Sequence, residues 1–307
     1  MSEDRTPAHD RPTLTVVVVA YNSAELLPGL LESIPAACEG VAPVEVVVAD
    51  NASSDGSVEL VRGRDDARVV ELGRNAGYSA GINAGVASAA ESDAILVLNP
   101  DIRLAPGSVR RLLDAQVGPG GITVPRLLDE SGTTMHSLRR DPSVGRALGE
   151  AILGGVRSGR IPWLGELVTD PERYEHPGPV DWATGAAMLI SRRCWDGVGE
   201  WDESFFLYSE ETDYSMRARR AGFTIQYVPG ASAIHIGGDL EVSPRLWTIH
   251  TLNRVRLFGR DHGRAHTGAF RAAVVLNEAL RAAGGRERSR AALRALLHPS
   301  ERPPEIA

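Results

Sequence analysis

Four apolar runs in this chain each stop at a cluster of carboxylates, amides and hydroxyls, one of which also carries an arginine. Ala20-Tyr21-Asn22-Ser23 follows the first run, and Asp50-Asn51-Ala52-Ser53-Ser54-Asp55-Gly56 follows the second. Gly73-Arg74-Asn75-Ala76-Gly77-Tyr78 follows the third, and Asn99-Pro100-Asp101 the fourth. Taken singly, such residues make turns and helix caps, and Ser23 and Asp55 suit that use alone. Four of them at one edge of a sheet would line a ligand crevice. Further along, Glu210-Glu211-Thr212-Asp213 crowds three acids into four positions. Neighbouring carboxylates disfavour joint ionisation, which lifts one of them towards a general base; the same acids also suit the start of a helix. His235 ends another apolar stretch. The first turn carries neither G-x-G-x-x-G nor G-x-x-x-x-G-K-[ST], which argues against dinucleotide and P-loop sites. All 33 basic residues are arginine, so lysine chemistry, including Schiff bases and pyridoxal phosphate, is excluded.

The elements that hold these residues follow from hydrophobic pattern. Residues 14–20, 44–49, 68–72 and 94–98 are rich in valine, isoleucine and leucine and read as strands. Between them, 23–34, 55–62 and 77–90 have helical length and pattern. This alternation predicts an α/β fold with a mostly parallel sheet covered by helices on both faces. Ligands in such sheets bind beyond the carboxyl ends of the strands, where the polar clusters fall. Gly77, Gly81 and Gly85 would line one helix face for close packing, with Gly77 also offering a backbone amide. Residues 139–180 are irregular and read as an insertion or mobile loop. A second regular block spans 182–238, with strands over 186–191 and 224–228 and a helix over 211–221. The arginine-rich stretch 241–307 reads as an appended helical subdomain.

The whole chain has 307 residues, of which 43% are hydrophobic and 24% charged, enough to bury a sizeable core. Its net charge of −7 argues against a nucleic-acid partner. Cys38 and Cys194 fit no zinc or redox spacing and read as buried thiols in a reducing, cytoplasmic compartment. Residues 1–12 are charged, lack the apolar core of a signal peptide, and read as a disordered N-terminus. The longest apolar run, Val16 to Ala20, is far below the roughly 20 residues of a membrane span.

Six ordered motifs resemble glycosyltransferase family 2, with the GT-A fold, in its rhamnosyltransferase-like branch. They are Val17-Val18-Val19-Ala20-Tyr21-Asn22, Asp50-Asn51-Ala52-Ser53-Ser54-Asp55-Gly56 and Arg74-Asn75-Ala76-Gly77-Tyr78-Ser79-Ala80-Gly81-Ile82-Asn83. Leu98-Asn99-Pro100-Asp101, Gly185-Ala186-Ala187-Met188-Leu189 and Phe205-Phe206-Leu207-Tyr208-Ser209-Glu210-Glu211-Thr212-Asp213 complete the set. The resemblance spans about 14–240, which makes 13–240 the GT-A domain.

What the resemblance implies is a metal-dependent, inverting transfer from a nucleotide-diphosphate sugar, with dTDP-L-rhamnose as the expected donor. Ala20, Tyr21, Asn22, Asp50 and Asn51 would meet the nucleoside, with Asp50 accepting from a pyrimidine imide. Arg74, Asn75 and Gly77 would close over the pyrophosphate, although Arg74 also reads as a solvated loop cation. Asn99-Pro100-Asp101 replaces the family's Asp-x-Asp, so its first carboxylate has become an amide. Asp101 and His235 would hold Mn²⁺ or Mg²⁺. Glu211 takes the place of the aspartate that serves as base in the family; its side chain reaches about 1.5 Å further. Glu210, Asp213, Gly185 and Trp182 would shape the acceptor or sugar pocket, and Trp182 reads equally well as core. The acceptor would be a glycan or a polyprenyl-diphosphate-linked sugar. That suggests peripheral contact with the inner face of the cell membrane, where the C-terminal arginines could meet anionic headgroups. Those arginines also fit a solvated cap or a homodimer surface. The rivals are a same-fold transferase using a UDP-hexose or UDP-N-acetylhexosamine, a nucleotidyltransferase, and a non-catalytic binding relative.

Overall fold

The computed structural model describes residues 12–116, 118, 120–237 and 243–306. The expected disorder of the N-terminus and the domain boundary near 240 lie outside the described residues.

The first half alternates β1 (Leu14–Ala20), α1 (Leu27–Ala37), β2 (Val44–Asp50), α2 (Ser57–Arg62), β3 (Arg68–Glu71), α3 (Tyr78–Ser88) and β4 (Ala94–Leu98). The four strands lie parallel in the order β3-β2-β1-β4. All seven residues of β1 are buried, as expected of a strand covered on both faces. Gly81 and Gly85 let α3 approach this strand: a Cβ would sit 2.6 Å from a Val19 methyl at Gly81 and 2.5 Å from a Val17 methyl at Gly85. Gly77 works differently, with φ +94° and no room for a Cβ against the Phe206 carbonyl, 2.3 Å away. Register aligns the strand ends: Ala20 lies opposite Asp50, and Asp50 opposite Glu71, while Val18 faces Leu98. The polar clusters at 21–23, 51–56, 73–78 and 99–101 therefore leave one edge of the sheet.

The second half contains β5 (Ile102–Leu104), α4 (Ser108–Asp114), β6 (Gly120–Leu128), β7 (Leu138–Arg139), α5 (Val144–Leu153), α6 (Gly155–Ser158) and α7 (Glu172–Glu175). It continues through β8 (Gly178–Pro179), β9 (Trp182–Ala183), β10 (Ala187–Ser191), α8 (Arg192–Val198), α9 (Glu210–Arg220) and β11 (Thr224–His235). β10 joins β4 antiparallel, and β6, β11 and β5 extend the sheet outward from it. The result is one nine-stranded mixed sheet, with β7 and β9 paired separately. The strand expected over 224–228 continues to His235 through an irregularity between Val228 and Ser232, which absorbs Pro229 and Gly230.

The C-terminal helices are α10 (Pro244–Asp261), α11 (Arg264–Ala283) and α12 (Glu287–Leu297). Their core, including Leu252, Phe258, Phe270, Val274 and Leu296, also takes in Ala147 of α5. Arg254 of α10 is paired with Glu150 at 2.7 Å and Glu166 at 2.6 Å. The stretch 139–180 is therefore fastened to the C-terminal helices, not a loop hanging off the sheet. Both cysteines are free and buried, and burial pushes each thiol up to about 12, which leaves them inert. Among the described residues no helix is long and apolar enough to cross a membrane.

Candidate active site

A cavity of about 1130 Å³ opens at the carboxyl edge of the first three strands, lined by Ala20, Tyr21, Asn51, Arg74, Asn75 and Gly77 among others. Asn51 is buried and ties two of the clusters together: its Nδ2 donates to the Gly77 carbonyl at 3.3 Å, and its Oδ1 accepts from Ala76 N at 3.0 Å. Asn22, at φ +50°, accepts from Ser54 N through Oδ1 at 2.9 Å, and its own N–H donates to Ser53 Oγ at 2.9 Å. The buried Asp50 accepts from Ser53 N through Oδ2 at 2.9 Å, whereas Oδ1 has no partner among the described residues. A lone pair is thus left for a donor from a ligand. Tyr21 leaves 53% of its surface exposed at the mouth of this cavity. Arg74 is exposed on the cavity wall. Ser23 and Asp55 are structural, as expected: the Asp55 carboxylate accepts from Ala24 N at 2.9 Å and from Ser57 Oγ at 2.6 Å.

Asp101 and His235 come together from β5's approach and the end of β11, with Nε2 3.2 Å from Oδ2. Asp101 Oδ1 is buried and unpartnered among the described residues. One open carboxylate oxygen beside an imidazole nitrogen is a donor set that suits Mn²⁺ or Mg²⁺. No group of three or more such side chains forms among the described residues, so the remaining ligands would come from a diphosphate and water. Asn99 meets the sheet through its backbone, donating to the Ala186 carbonyl at 2.9 Å.

Glu210 and Glu211 open α9, where the helix dipole favours negative charge. Each has an Oε2 that is buried and unpartnered among the described residues. Burial pushes the Glu211 carboxyl up, against backbone N–H groups and the Arg139 charge that pull it down. Glu210 is also pushed well up, by burial and then by the Glu211 charge. A Cβ on Gly185 would come within 3.3 Å of Glu211 Cβ, so glycine leaves the carboxylate its room. Asp213 does not join this pair: it accepts from Arg217 Nε at 2.8 Å and from Arg260 Nη1 at 3.2 Å. Trp182 is buried, donating from Nε1 to the Arg140 carbonyl at 3.0 Å, which favours the core alternative.

Two contributors escaped the sequence reading. Tyr78 donates to the Gly185 carbonyl at 3.0 Å, and its phenol is held well above its usual value by burial and by the charges of Glu210, Glu211 and Asp101. It therefore stands between the strand-end cavity and the acids. Its place in the Arg74–Asn83 motif was the available signal. Asn253 of α10 donates to the Leu207 and Tyr208 carbonyls at 3.0 and 3.1 Å, fixing the turn into α9. Nothing in the sequence near Asn253 points to that contact.

A mixed, mostly parallel sheet thus carries polar strand ends, a carboxylate–imidazole pair and an acid pair along one edge. The chain belongs to glycosyl transferase family 2: that family's pattern matches residues 15–158, and a relative shares 34% identity over 236 residues. That relative is the N-acetylglucosaminyl-diphospho-decaprenol L-rhamnosyltransferase of Mycobacterium tuberculosis, aligned over 72% of this chain and 75% of its own length. The rhamnosyltransferase WbbL of Escherichia coli is 24% identical over 72% of this chain and 82% of its own. Among solved structures, the mannosyltransferase PcManGT from Pyrobaculum calidifontis, in complex with GDP-Man and Mn²⁺, has a TM-score of 0.56 at 16% identity, covering 97% of this chain and 83% of its own. The S. aureus TarS fragment with UDP-GlcNAc has a TM-score of 0.54 at 14% identity, covering 96% and 82% respectively. Both share the fold.

Proposed function

We propose that this glycosyltransferase moves L-rhamnose, with inversion, from dTDP-L-rhamnose to a sugar carried on a polyprenyl diphosphate. The observation that carries the reading is the acid pair at the head of α9, with Glu211 facing Gly185 and the Asp101–His235 pair in the same electrostatic neighbourhood. The donor and acceptor rest on the names of the relatives at 34% and 24% identity.

In this reading Asp50 Oδ1 accepts from the thymine imide, Tyr21 offers its ring face to the base, and Arg74 neutralises phosphate charge. Asp101 and His235 would hold a divalent ion, which when bound supplies positive charge to the diphosphate. The acceptor hydroxyl gives its proton to the Glu211 carboxylate. Its oxygen forms the new bond to the anomeric carbon as the bond from that carbon to the diphosphate oxygen breaks. The diphosphate leaves with the electron pair, and a single in-line displacement inverts the centre. Burial and like charge push both carboxyls up, so the pair carries a single negative charge, which this reading places on Glu211 beside Gly185. A peripheral position on the inner membrane face suits such an acceptor.

A panel of nucleotide sugars, with and without Mn²⁺, tests this by thermal shift and by transfer to a polyprenyl-diphosphate sugar. Selective, Mn²⁺-dependent stabilisation and transfer with dTDP-L-rhamnose is expected. Selection of a UDP-hexose or UDP-N-acetylhexosamine would overturn the donor, and absence of transfer with any donor would overturn the enzyme reading.

A further inference from the structure

Eight of the eleven exposed large apolar side chains among the described residues fall in two segments, 148–163 and 276–280. The first covers α5, α6 and the turn after them; the second lies on α11, which packs on α5. Ile152 is 70% exposed, Trp163 69% and Val156 57%. Apolar groups concentrated in this way mark an interaction surface, whereas scattered ones do not. Between the segments runs a groove of about 860 Å³, with Leu153, Val156, Leu280 and Trp247 in its wall.

Its charge is mostly positive. Arg157, Arg281, Arg286 and Arg288 line the groove, in a protein whose net charge is −7. The acid in the lining, Glu150, is taken up by Arg254 at 2.7 Å. Arg281 and Arg288 lie over the Trp247 ring at 5.8 and 4.7 Å, which orients their guanidinium groups at the groove. Arg157 and Arg286 are exposed.

From these features we infer that the α5–α6 tip and the α11–α12 turn form a docking face for an anionic phospholipid bilayer. The apolar tip enters the interface while the arginines meet headgroup phosphates. Charge complementarity selects this occupant: a second copy of the chain would bring the same arginines against each other across a two-fold axis. The face also lies close to the chemistry. Trp247 contacts the His250 ring at 5.2 Å, and His250 contacts Tyr208 at 5.4 Å, in the turn that leads into the acid pair. Leu246 and Ile249, on the same helix as Trp247, line the donor cavity. A membrane-bound acceptor would thus be presented beside α10. The use of the face rests on the proposed lipid-linked acceptor; its affinity for a bilayer does not.

Flotation of the full chain with phosphatidylcholine vesicles, with and without phosphatidylglycerol and at low and high salt, tests the face directly. Binding is expected only with phosphatidylglycerol and should weaken at high salt. Each arginine near such a surface contributes about fivefold to partitioning. Arg157→Glu combined with Arg286→Glu should therefore lower binding at least about tenfold, and Ile152→Ser combined with Val156→Ser should lower it independently of salt. Neither pair should change transfer to a water-soluble acceptor analogue. Absence of vesicle binding, or binding untouched by both pairs, overturns the inference. So does a dimer in light scattering that the arginine pair dissociates while vesicle binding stays intact. Vesicle binding sensitive to these residues, in a chain that transfers no sugar, supports the face and overturns the proposed activity.

Discussion

Two adjacent buried glutamates cannot both ionise freely. Burial raises both carboxyls and like charge opposes joint ionisation, so Glu211, facing Gly185, acts from a raised pKa. The acid limb of kcat/KM should therefore lie above the ordinary glutamate value of 4.5, with activity rising as Glu211 loses its proton. A pH–rate profile with its limb at or below that value would contradict the assignment. The same shift has a stability consequence. A carboxyl raised in the folded state stabilises below its unfolded pKa, and that stabilisation is lost as pH rises through the folded pKa. Glu210→Gln should accordingly gain in Tm relative to the parent as pH increases through this window, measured by thermal melts across pH. At the other end of the site, Asp101→Ala should abolish metal-dependent nucleotide binding and His235→Ala should weaken it less, as read by titration with and without Mn²⁺. Unchanged metal-dependent affinity in both would remove the assignment. Which residues could do chemistry was legible at this scale, because their types are unusual at a strand end. Their partners were not: Asp213 reads as part of the acid cluster, yet it faces Arg217 and an arginine 47 residues away.

At the scale of elements, the turn into α9 is the exposed weakness of the site. Tyr208 and Ser209 both have positive φ, +66° and +76°, which is costly for residues with a Cβ. The surroundings hold the turn in place. Asn253 binds the Leu207 and Tyr208 carbonyls, and Arg260 reaches Asp202 at 2.6 Å and covers the Phe205 ring at 4.3 Å. Asn253→Ala should cost about 1–3 kcal/mol, the range for leaving buried polar groups unpaired. It should also lower kcat, since the turn it fixes leads directly into the acid pair. Denaturant melts and initial rates check both. The strands β1, β2, β3 and β4 were legible because each is a short aliphatic run bounded by turn residues, with its neighbour close in sequence. β6 was not: it opens on two glycines, carries Pro125, and pairs with a strand about a hundred residues later. The far half of β11 was hidden for a similar reason, since Pro229 and Gly230 punctuate a strand that resumes only because β5 and β6 flank it.

For the whole molecule, the C-terminal helices act as part of the enzyme's frame. Arg254 satisfies Glu150 and the buried Glu166 of the middle block, and α10 presents one side to the strand-end cavity and Trp247 to the arginine-lined groove. Pro304, Glu305 and Ile306 also line the strand-end cavity, with Glu305 paired to Arg245, so the last described residues return to the candidate site. Arg254→Ala should destabilise by about 3–5 kcal/mol, because it leaves buried carboxylates without a counter-charge. Equilibrium unfolding would show this, and a loss under about 1 kcal/mol would mean that the pair is solvated. The sequence suggests an appended helical cap here because composition changes sharply after 240. Composition does not reveal that Ala147 and the C-terminal helices share one core.

Turnover and donor affinity measured together in Glu211→Gln test the central claim most directly. Glutamine keeps the size and much of the hydrogen bonding but takes no proton at neutral pH. Loss of a general base costs about 10²–10⁴-fold, so turnover should fall by at least two decades. Donor affinity should change less than about threefold, well inside the tenfold that 1.4 kcal/mol represents. Glu210→Gln, which leaves the Glu211 carboxylate in place, should lose far less. An inactive Glu210→Gln beside an active Glu211→Gln would mean that the other glutamate is the base. Normal turnover in both variants would place the base outside the acid pair and contradict the account.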